Sequence, residues 1–381
     1  MRNAVKLCWK RIKSLWRSSW NLAKPAYITV VMFCRRFTMK VLYKKKLMRR
    51  IAIGTFISVL LILFLLYVVI PIVFKYTPSL QKGLLYLSSV YIPVDFKNPN
   101  KLINGSRNLY IKTNDSVSLG VWQILPSSLV IPSFLTPQGD YEKFLSNGDP
   151  VFIYMHGNSG NRGTGHRIDL YKVLQKNNYH VIAFDYRNYG DSGKAELSEE
   201  GTVKDARTIY EWTRDRVKGQ GPIFFWGHSL GTGISSHLLD DLEMSQSSVV
   251  TGLVLEAPFN NLREEIKSYP LAQIWSFLPW FDYFFTSPMY ENGLQYESDK
   301  HLSHLKTPIL ILHAEDDVVI PIQLSKKLYE KILANRDANT VEFKTYPYER
   351  RYGHKFIVKD KELPAVLNAF VERSKKLKSS S

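Results

Sequence analysis

Ser229 stands in a setting that could make it a catalytic nucleophile. It lies in the pentapeptide GHSLG, which follows the apolar run 223–226 and precedes a helical pattern. Gly227 and Gly231 suit a sharp turn from strand to helix, because a side chain at either position would collide with the neighbouring strand or helix. The motif therefore predicts a serine hydroxyl held above the edge of a sheet, at the N-terminus of a helix.

A serine hydroxyl becomes a good nucleophile only when a base takes its proton and an acid orients that base. Asp316 and Asp317 follow the apolar run TPILILHA, so carboxylates stand at the end of a predicted strand. We assign Asp317 as the acid, because its spacing to Pro321 fits the usual acid loop. His354 comes after the last predicted strand and before the last predicted helix, in the slot that remains for a base. A solvated acidic turn and a surface histidine are the alternatives without catalysis.

Strand and helix patterns along the chain must position these residues. Apolar strands separated by helices of about ten or more residues indicate an α/β fold, with a mostly parallel eight-stranded sheet covered by helices on both faces. About fifty residues separate positions 255 and 309, which predicts a cap inserted over about 262–300. The predicted strands are 108–113, 117–124, 151–154, 180–184, 223–226, 250–255, 309–313 and 341–345, and the predicted helices are 166–177, 199–217, 229–243, 322–334 and 362–377.

The charge distribution separates a basic tail from a nearly neutral remainder. Residues 1–50 hold 15 of the 51 Lys and Arg residues and none of the 34 Asp and Glu residues. The near balance of charge after residue 50 argues against a nucleic-acid-binding domain. Cys8 and Cys34, the two cysteines of the chain, both lie in the tail, so the remainder offers no cysteine nucleophile and no thiolate metal site. We predict neither a metal nor another cofactor.

An uncharged run of 24 residues, 51–74, follows the tail. As a helix it would extend roughly 36 Å, beyond the ~30 Å hydrocarbon core of a bilayer, which predicts a transmembrane helix rather than a signal peptide or a buried core helix. Eight basic residues in 31–50 against two in 75–94 place the N-terminus in the cytosol. The connector 75–94 then leads to a lumenal catalytic domain, 95–381, in the endoplasmic reticulum or, alternatively, at the plasma membrane.

Two further features agree with this topology. Asn104 and Asn114 each begin an Asn-x-Ser sequence on the lumenal side, where asparagine can be glycosylated. The tail interleaves aromatic side chains with Lys and Arg, which suits contact with an anionic cytosolic leaflet. A disordered tail that only fixes the topology is the alternative.

Five stretches of the sequence together resemble one family. They are YMHGNSGNRGTGHRIDLYKVL, FDYRNYGDS, WGHSLGTG, EAPFNNLREEIKSYP and ILHAEDDVVIP. With the anchor and the basic tail, they are similar to the membrane-bound lysophosphatidylserine lipases of the α/β-hydrolase superfamily, also described as monoacylglycerol lipases (the twelve type or its B paralogue). The resemblance covers the anchor and essentially all of 75–381.

The resemblance implies an α/β-hydrolase fold and hydrolysis of lysophospholipid and monoacylglycerol esters through an acyl-enzyme. It implies Ser229 as nucleophile, Asp317 as acid and His354 as base. The backbone N–H groups of Asn158 and Leu230 would then stabilise the oxyanion.

Some positions bear on substrate preference. Val318 stands where the family commonly has proline, and Ser159 stands where it often has alanine. Neither departure removes a reactive group, but both leave the paralogue and the head-group preference open. Candidates for contact with an anionic head group are Arg350, Arg351 and Lys355, which flank the predicted base.

Residues 269–290 are rich in aromatic side chains, which favours an acyl-chain tunnel or a membrane-facing lid over an ordinary cap. The predicted partners are lysophospholipid and monoacylglycerol substrates and the bilayer, with no nucleic acid. A protein-acyl thioesterase would use the same three residues, and a membrane-tethered binding protein without catalysis is the other alternative.

Overall fold

Eight strands form one sheet in the computed structural model, which describes residues 2–90, 92–130 and 141–379. The strands are β1 (Ser106–Lys112), β2 (Ser118–Ile124), β3 (Val151–Met155), β4 (His180–Phe184), β5 (Ile223–His228), β6 (Val250–Glu256), β7 (Ile309–Ala314) and β8 (Val341–Tyr346). Their order is β1-β2-β4-β3-β5-β6-β7-β8. β2 pairs antiparallel with β1 and β4, and every other pair is parallel. The prediction of a mostly parallel eight-stranded sheet is confirmed.

The chain divides into two compact units, Met1–Ile70 and Pro71–Ser381. The first contains α1 (Arg2–Phe64) and a π-helical stretch, Leu65–Val69, and α2 (Ile70–Lys75) follows directly. Among the described residues, one helical stretch, Lys6–Lys75, is long and apolar enough to cross a membrane. The basic segment 2–50 is helical rather than irregular, with Pro25 inside the helix.

Helices of the second unit alternate with its strands. Their alternation follows the predicted pattern, and each of the five predicted helices begins and ends within two residues of an observed one. The observed α-helices after α2 are α3 (Pro78–Tyr86), α4 (Gly165–Lys176), α5 (Glu199–Val217), α6 (Leu230–Met244), α7 (Leu262–Ser268), α8 (Ser287–Glu291), α9 (Ser298–His301), α10 (Ile322–Leu333) and α11 (Leu363–Ser379).

Side chains of β5 show that helices cover both faces of the sheet. The ring of Phe224 lies 6.0 Å from that of Phe370 in α11, and the ring of Phe225 lies 5.6 Å from that of Tyr210 in α5. Successive residues of a strand point to opposite faces, so α5 and α11 lie on different sides. Burial on both sides explains why β5 is apolar almost throughout and buried at every position.

The segment between β6 and β7 contains several short helical stretches. α7 is followed by a 3-10 helix, Pro270–Ile274, a π-helical stretch, Asp282–Thr286, and then α8 and α9. The segment therefore has its own secondary structure, as expected of an insertion rather than an ordinary connection. Its boundaries as a cap stay a prediction.

Candidate active site

The turn between β5 and α6 holds Ser229 in a strained backbone conformation. Its φ is 54° and its ψ is −122°, and its N–H donates to the backbone oxygen of Glu256 at 3.0 Å. A Cβ at Gly227 would lie 2.5 Å from the backbone oxygen of Gly231, and a Cβ at Gly231 would lie still closer to that of Met155. Both glycines are therefore required by close backbone packing, as the motif predicts. Positive φ at a serine costs energy, which marks this turn as a candidate functional site.

Asp317 and His354 are brought together at the carboxyl end of β7. Asp317 Oδ2 lies 2.7 Å from His354 Nδ1, and its Oδ1 accepts the N–H groups of Val319 and Ile320 at 2.8 and 3.0 Å. Asp316 instead accepts the N–H of Gly353 at 2.9 Å. Only Asp317 of this pair contacts the imidazole, which favours its assignment as the acid.

His354 also lies against the loop that carries Ser229. His228 Nε2 donates to the backbone oxygen of His354 at 2.9 Å, and the two rings have centroids 5.0 Å apart. Ser229 Oγ makes no hydrogen bond to another residue in the part of the chain that the structure describes. In enzymes without bound substrate, the hydrogen bond between the catalytic serine and its histidine is often long, and it shortens only when substrate binds.

The predicted oxyanion donors lie on either side of the serine turn. Leu230 is the first residue of α6, and Asn158 follows Gly157, where an added Cβ would lie 3.1 Å from the Cβ of Ser229. Neither the N–H of Asn158 nor that of Leu230 has an acceptor among the described residues. Two unpaired backbone donors beside a candidate nucleophile suit a developing negative charge.

Two buried arginines hold the loop of Asn158 in place. Arg167 donates to the backbone oxygens of Asn161 and Ser159, each at 2.6 Å. Arg162 pairs with Asp185 at 2.6 Å and with Asp191 at 2.7 Å. Their sequence does not distinguish them from surface cations, because the burial and the carboxylate partners come from distant parts of the chain.

His313, at the end of β7, is a site residue that the sequence analysis missed. Ser325 Oγ lies 2.6 Å from the backbone oxygen of Pro258 and 2.5 Å from His313 Nδ1. His313 Nε2 donates to the backbone oxygen of Ile320 at 2.9 Å and lies 3.4 Å from Asp317 Oδ2. His313 therefore ties the acid loop to Ser325 and places a ring nitrogen beside Asp317.

Hydrogen bonds from two histidines keep Asp317 ionised. Burial raises its pKa, but hydrogen bonds from His313 and His354 outweigh this and bring the pKa below its ordinary value. An ionised acid holds the Nδ1–H tautomer of His354 and leaves Nε2 free to accept a proton. The spacing of four residues between His313 and Asp317 is visible in the sequence. Its significance becomes clear only when the fold places the two side chains side by side.

Glu256, at the end of β6, is a second buried acid near the site. Trp226 Nε1 donates to its Oε2 at 3.0 Å. Burial raises the pKa of Glu256 to about 7, although the bond from Trp226 lowers it and Asp317 raises it further. It makes no described contact with His354, so it does not replace Asp317 as the acid.

The raised pKa of Glu256 predicts a pH-dependent stability. Folded protein keeps a proton on Glu256 that unfolded protein releases above its ordinary pKa of 4.5, so stability falls as the pH rises from about 4.5 to about 7. Glu256→Gln cannot ionise and keeps an acceptor for Trp226. We expect thermal unfolding in detergent to show equal stability at pH 4.5 and a gain of up to about 3 kcal/mol at pH 8. Glu330→Gln, at an exposed position of α10, is the control, and an equal gain there would contradict the prediction.

The candidate head-group residues and the candidate glycosylation sites are at the surface. Arg350, Arg351 and Lys355 are exposed, and the guanidinium of Arg351 lies over the Tyr348 ring, 4.7 Å from its centroid. Their role stays a prediction. Asn104 and Asn114 are also exposed, as glycan attachment requires.

One further cluster contains possible metal ligands. Glu199, His237 and His301 offer ligand atoms within 4.8 Å of one another, but the two rings stack with their planes 17° apart. A metal ion binds an imidazole nitrogen in the plane of the ring, so two nearly parallel stacked rings cannot both point at one ion. His237 instead bonds Glu199 at 2.8 Å, and His301 bonds Asp240 at 2.6 Å. We interpret the cluster as hydrogen bonds that join α5, α6 and α9.

The fold is similar to that of known hydrolases. A family model described as the alpha/beta hydrolase fold matches residues 150–285. An esterase of Pyrococcus furiosus is 20% identical, covers 73% of this chain and 93% of its own, and superposes with a TM-score of 0.53. An alpha-beta hydrolase from Vibrio vulnificus is 18% identical and covers 78% of this chain and 94% of its own, with a TM-score of 0.56. The sheet and the strand-serine-helix turn are those of an α/β-hydrolase.

Curated relatives cover most of the chain. Lysophosphatidylserine lipase ABHD12 of Danio rerio is 39% identical over 80% of this chain and 81% of its own length. The same lipase of Rattus norvegicus is 39% identical over 81% and 78%, and protein ABHD12B of Homo sapiens is 35% identical over 74% and 76%. The chain belongs to the ABHD12 family of α/β-hydrolases and is a carboxylic ester hydrolase, so the predicted resemblance is confirmed.

Proposed function

We propose that this protein is an integral-membrane serine hydrolase that cleaves the acyl ester of single-chain lipids, lysophosphatidylserine before monoacylglycerol. The observation that carries the mechanism is the 2.7 Å contact between His354 and Asp317 beside the strained turn of Ser229. The substrate class is supported by the relatives named lysophosphatidylserine lipase, at about 39% identity over four-fifths of the chain. A fluorophosphonate probe should label the wild type and fail to label Ser229→Ala.

The proposed reaction has two stages, acylation and deacylation, and one histidine takes up and returns a proton in each. Ser229 Oγ attacks the ester carbonyl carbon while His354 Nε2 takes the hydroxyl proton, and Asp317 holds Nδ1–H and stabilises the imidazolium. The oxyanion accepts hydrogen bonds from the backbone N–H groups of Asn158 and Leu230. His354 returns its proton to the leaving glycerol oxygen as that C–O bond breaks. A water molecule, deprotonated by the same ring, then releases the fatty acid and restores the serine.

The head-group preference can be tested at the loop before His354. A phosphoserine head group could accept charge-assisted hydrogen bonds from Arg350 and Arg351, each worth roughly 1.5–3 kcal/mol if well formed. We expect replacement of both by glutamine to lower kcat/KM for lysophosphatidylserine about tenfold or more, with less effect on monoacylglycerol. Lys327 and Lys375 are exposed cations of α10 and α11, and their replacement by glutamine is the control.

Other outcomes of this substrate panel would contradict the proposal. Equal losses on both lipids would show that the two arginines do not read the head group. A wild-type enzyme indifferent to lysophosphatidylserine, or one that prefers a palmitoylated peptide thioester, would replace the proposed lipase with another acyl hydrolase.

The proposed topology places the tail in the cytosol and the catalytic domain in the lumen of the endoplasmic reticulum. Exposed Asn104 and Asn114 should then carry glycans, because they meet the lumenal glycosylation machinery. We expect glycosidase treatment to shift the gel mobility of the wild type but not of the Asn104→Gln/Asn114→Gln double variant. Protection of the N-terminus from protease in intact microsomes would show that the orientation is the opposite of the proposed one.

A further inference from the structure

The last turn of the apolar run is tied to the segment between β6 and β7. Phe74 is buried, and its ring centroid lies 5.0 Å from that of Phe285. Gln81 Nε2 donates to the backbone oxygens of Phe74 and Lys75 at 2.8 and 3.1 Å, and Asn292 donates to Gln81 Oε1 at 2.8 Å. All of these contacts lie within the second unit. They fix the end of the apolar run and this segment to each other.

The same segment has an inward and an outward set of apolar side chains. Trp275 and Phe281 pack on Phe285, with ring centroids 5.2 and 5.1 Å from it. Residues 269–281 contain no Asp, Glu, Lys or Arg. Between positions 271 and 283, the large apolar side chains that remain exposed are those of Leu271, Ile274, Phe277 and Tyr283.

We propose that these four side chains, here called the aromatic face, insert into the bilayer leaflet that adjoins the end of the apolar run. The inference rests on the membrane anchor of the proposed function and deepens it, because it identifies how the catalytic domain meets the lipid. Exposed apolar groups gain free energy when they leave water, and aromatic rings are favoured at the level of the head groups.

Chain continuity explains why these side chains should meet a bilayer. Phe74 ends the uncharged run, so in a membrane-spanning helix it lies at the edge of the hydrocarbon core. Phe285 packs directly on Phe74, and Trp275, two residues from Phe277, packs on Phe285. The segment is therefore held at the depth of the membrane surface.

The position of the Lys75 ammonium is consistent with this depth. Its ammonium lies 3.0 Å from the ring centroid of Tyr283, over the ring face. A lysine at the end of a membrane helix places its charge among the head groups, and its aromatic partner lies at the same level.

Accessibility of a spin label measures this insertion directly. The full chain offers a clean background, because Cys8→Ser and Cys34→Ser remove both of its cysteines. Phe277→Cys carries the label in lipid nanodiscs, and Met244→Cys, at the end of α6, is the matched control. Both native side chains are 71% exposed. We expect the label at 277 to be accessible to oxygen and protected from a water-soluble nickel complex, and the label at 244 to show the opposite.

Two results would overturn the proposal. Access of the nickel complex to position 277 equal to that at position 244 would place the aromatic face in water. Protection from both relaxing agents would indicate contact with protein, such as a second copy of the chain. Labelling of these variants by a fluorophosphonate tests the serine hydrolase separately, so failure of insertion and failure of the proposed activity can be told apart.

A kinetic comparison gives a second readout. Phe277→Asp should lower kcat/KM for lysophosphatidylserine in vesicles about tenfold or more, because a charge now opposes insertion. Hydrolysis of a soluble short-chain ester should be unchanged, and Met244→Asp should alter neither. Equal rates of wild type and Phe277→Asp on vesicles would contradict a role in lipid access. Equal losses on both substrates would indicate a folding defect. The accessibility of the spin label at position 277 would then decide whether this face inserts into the bilayer.

Discussion

Ser229→Ala and His354→Ala should each lower kcat at least ~10³-fold, because a nucleophile and its base act as a unit and removal of either disables both. Neither change enlarges a side chain, and Ser229 N–H keeps its bond to the backbone oxygen of Glu256. Ester hydrolysis by purified protein, together with fluorophosphonate labelling, measures the loss.

Matched variants separate catalysis from packing in this experiment. Ser236 is a buried serine of α6, the helix that follows Ser229, and its Oγ donates to the backbone oxygen of Thr232 at 2.7 Å. His304 is a partly exposed histidine that pairs with Asp240 at 2.9 Å. Ser236→Ala and His304→Ala should retain activity close to that of the wild type. Substantial turnover by Ser229→Ala would refute the proposed nucleophile.

Asp317→Asn should lower kcat roughly 10³- to 10⁴-fold while Asp316→Asn lowers it less than about tenfold. The asparagine keeps an oxygen for the N–H groups of Val319 and Ile320, so the loop should persist. It loses the negative charge that the rings of His354 and His313 both face. His354 would then lose the partner that fixes its tautomer and stabilises its protonated form.

The neighbouring acid provides a stringent control because it shares the loop. Among the described residues, Asp316 accepts a hydrogen bond from the N–H of Gly353 alone, and an asparagine can still accept it. Parallel measurement of kcat and of the pH profile for both variants would test the assignment. A crippled Asp316→Asn enzyme beside an active Asp317→Asn enzyme would show that the acid has been misassigned.

Much of the fold was readable from the sequence because its signals are local. The eight strands were predicted within about two residues of their observed ends, since strands buried on both faces are short apolar runs between helical patterns. The turn at Ser229 was readable for a similar reason. Its glycines are required by backbone contacts that recur whenever a strand turns sharply into a helix, so they leave a fixed spacing in the chain.

Residues that act through distant partners were not readable in this way. Arg162 and Arg350 look alike in sequence, yet the first is buried between Asp185 and Asp191 and the second is exposed. His313 carries no local sign that it will lie between a serine of α10 and the acid Asp317. Each such environment is created when separate elements pack together.

The sequence by itself determined the element types, the order of the candidate nucleophile, acid and base, and the apolar run that could cross a membrane. These follow from periodicity, turn chemistry and length, which depend on neighbouring residues. Tertiary structure decided that His354 meets Asp317 rather than Asp316, that burial raises the pKa of Glu256 to about 7, and that Phe74 packs on Phe285. Burial and charge pairing set these outcomes, because desolvation and electrostatic interactions depend on which side chains the fold brings within a few ångströms.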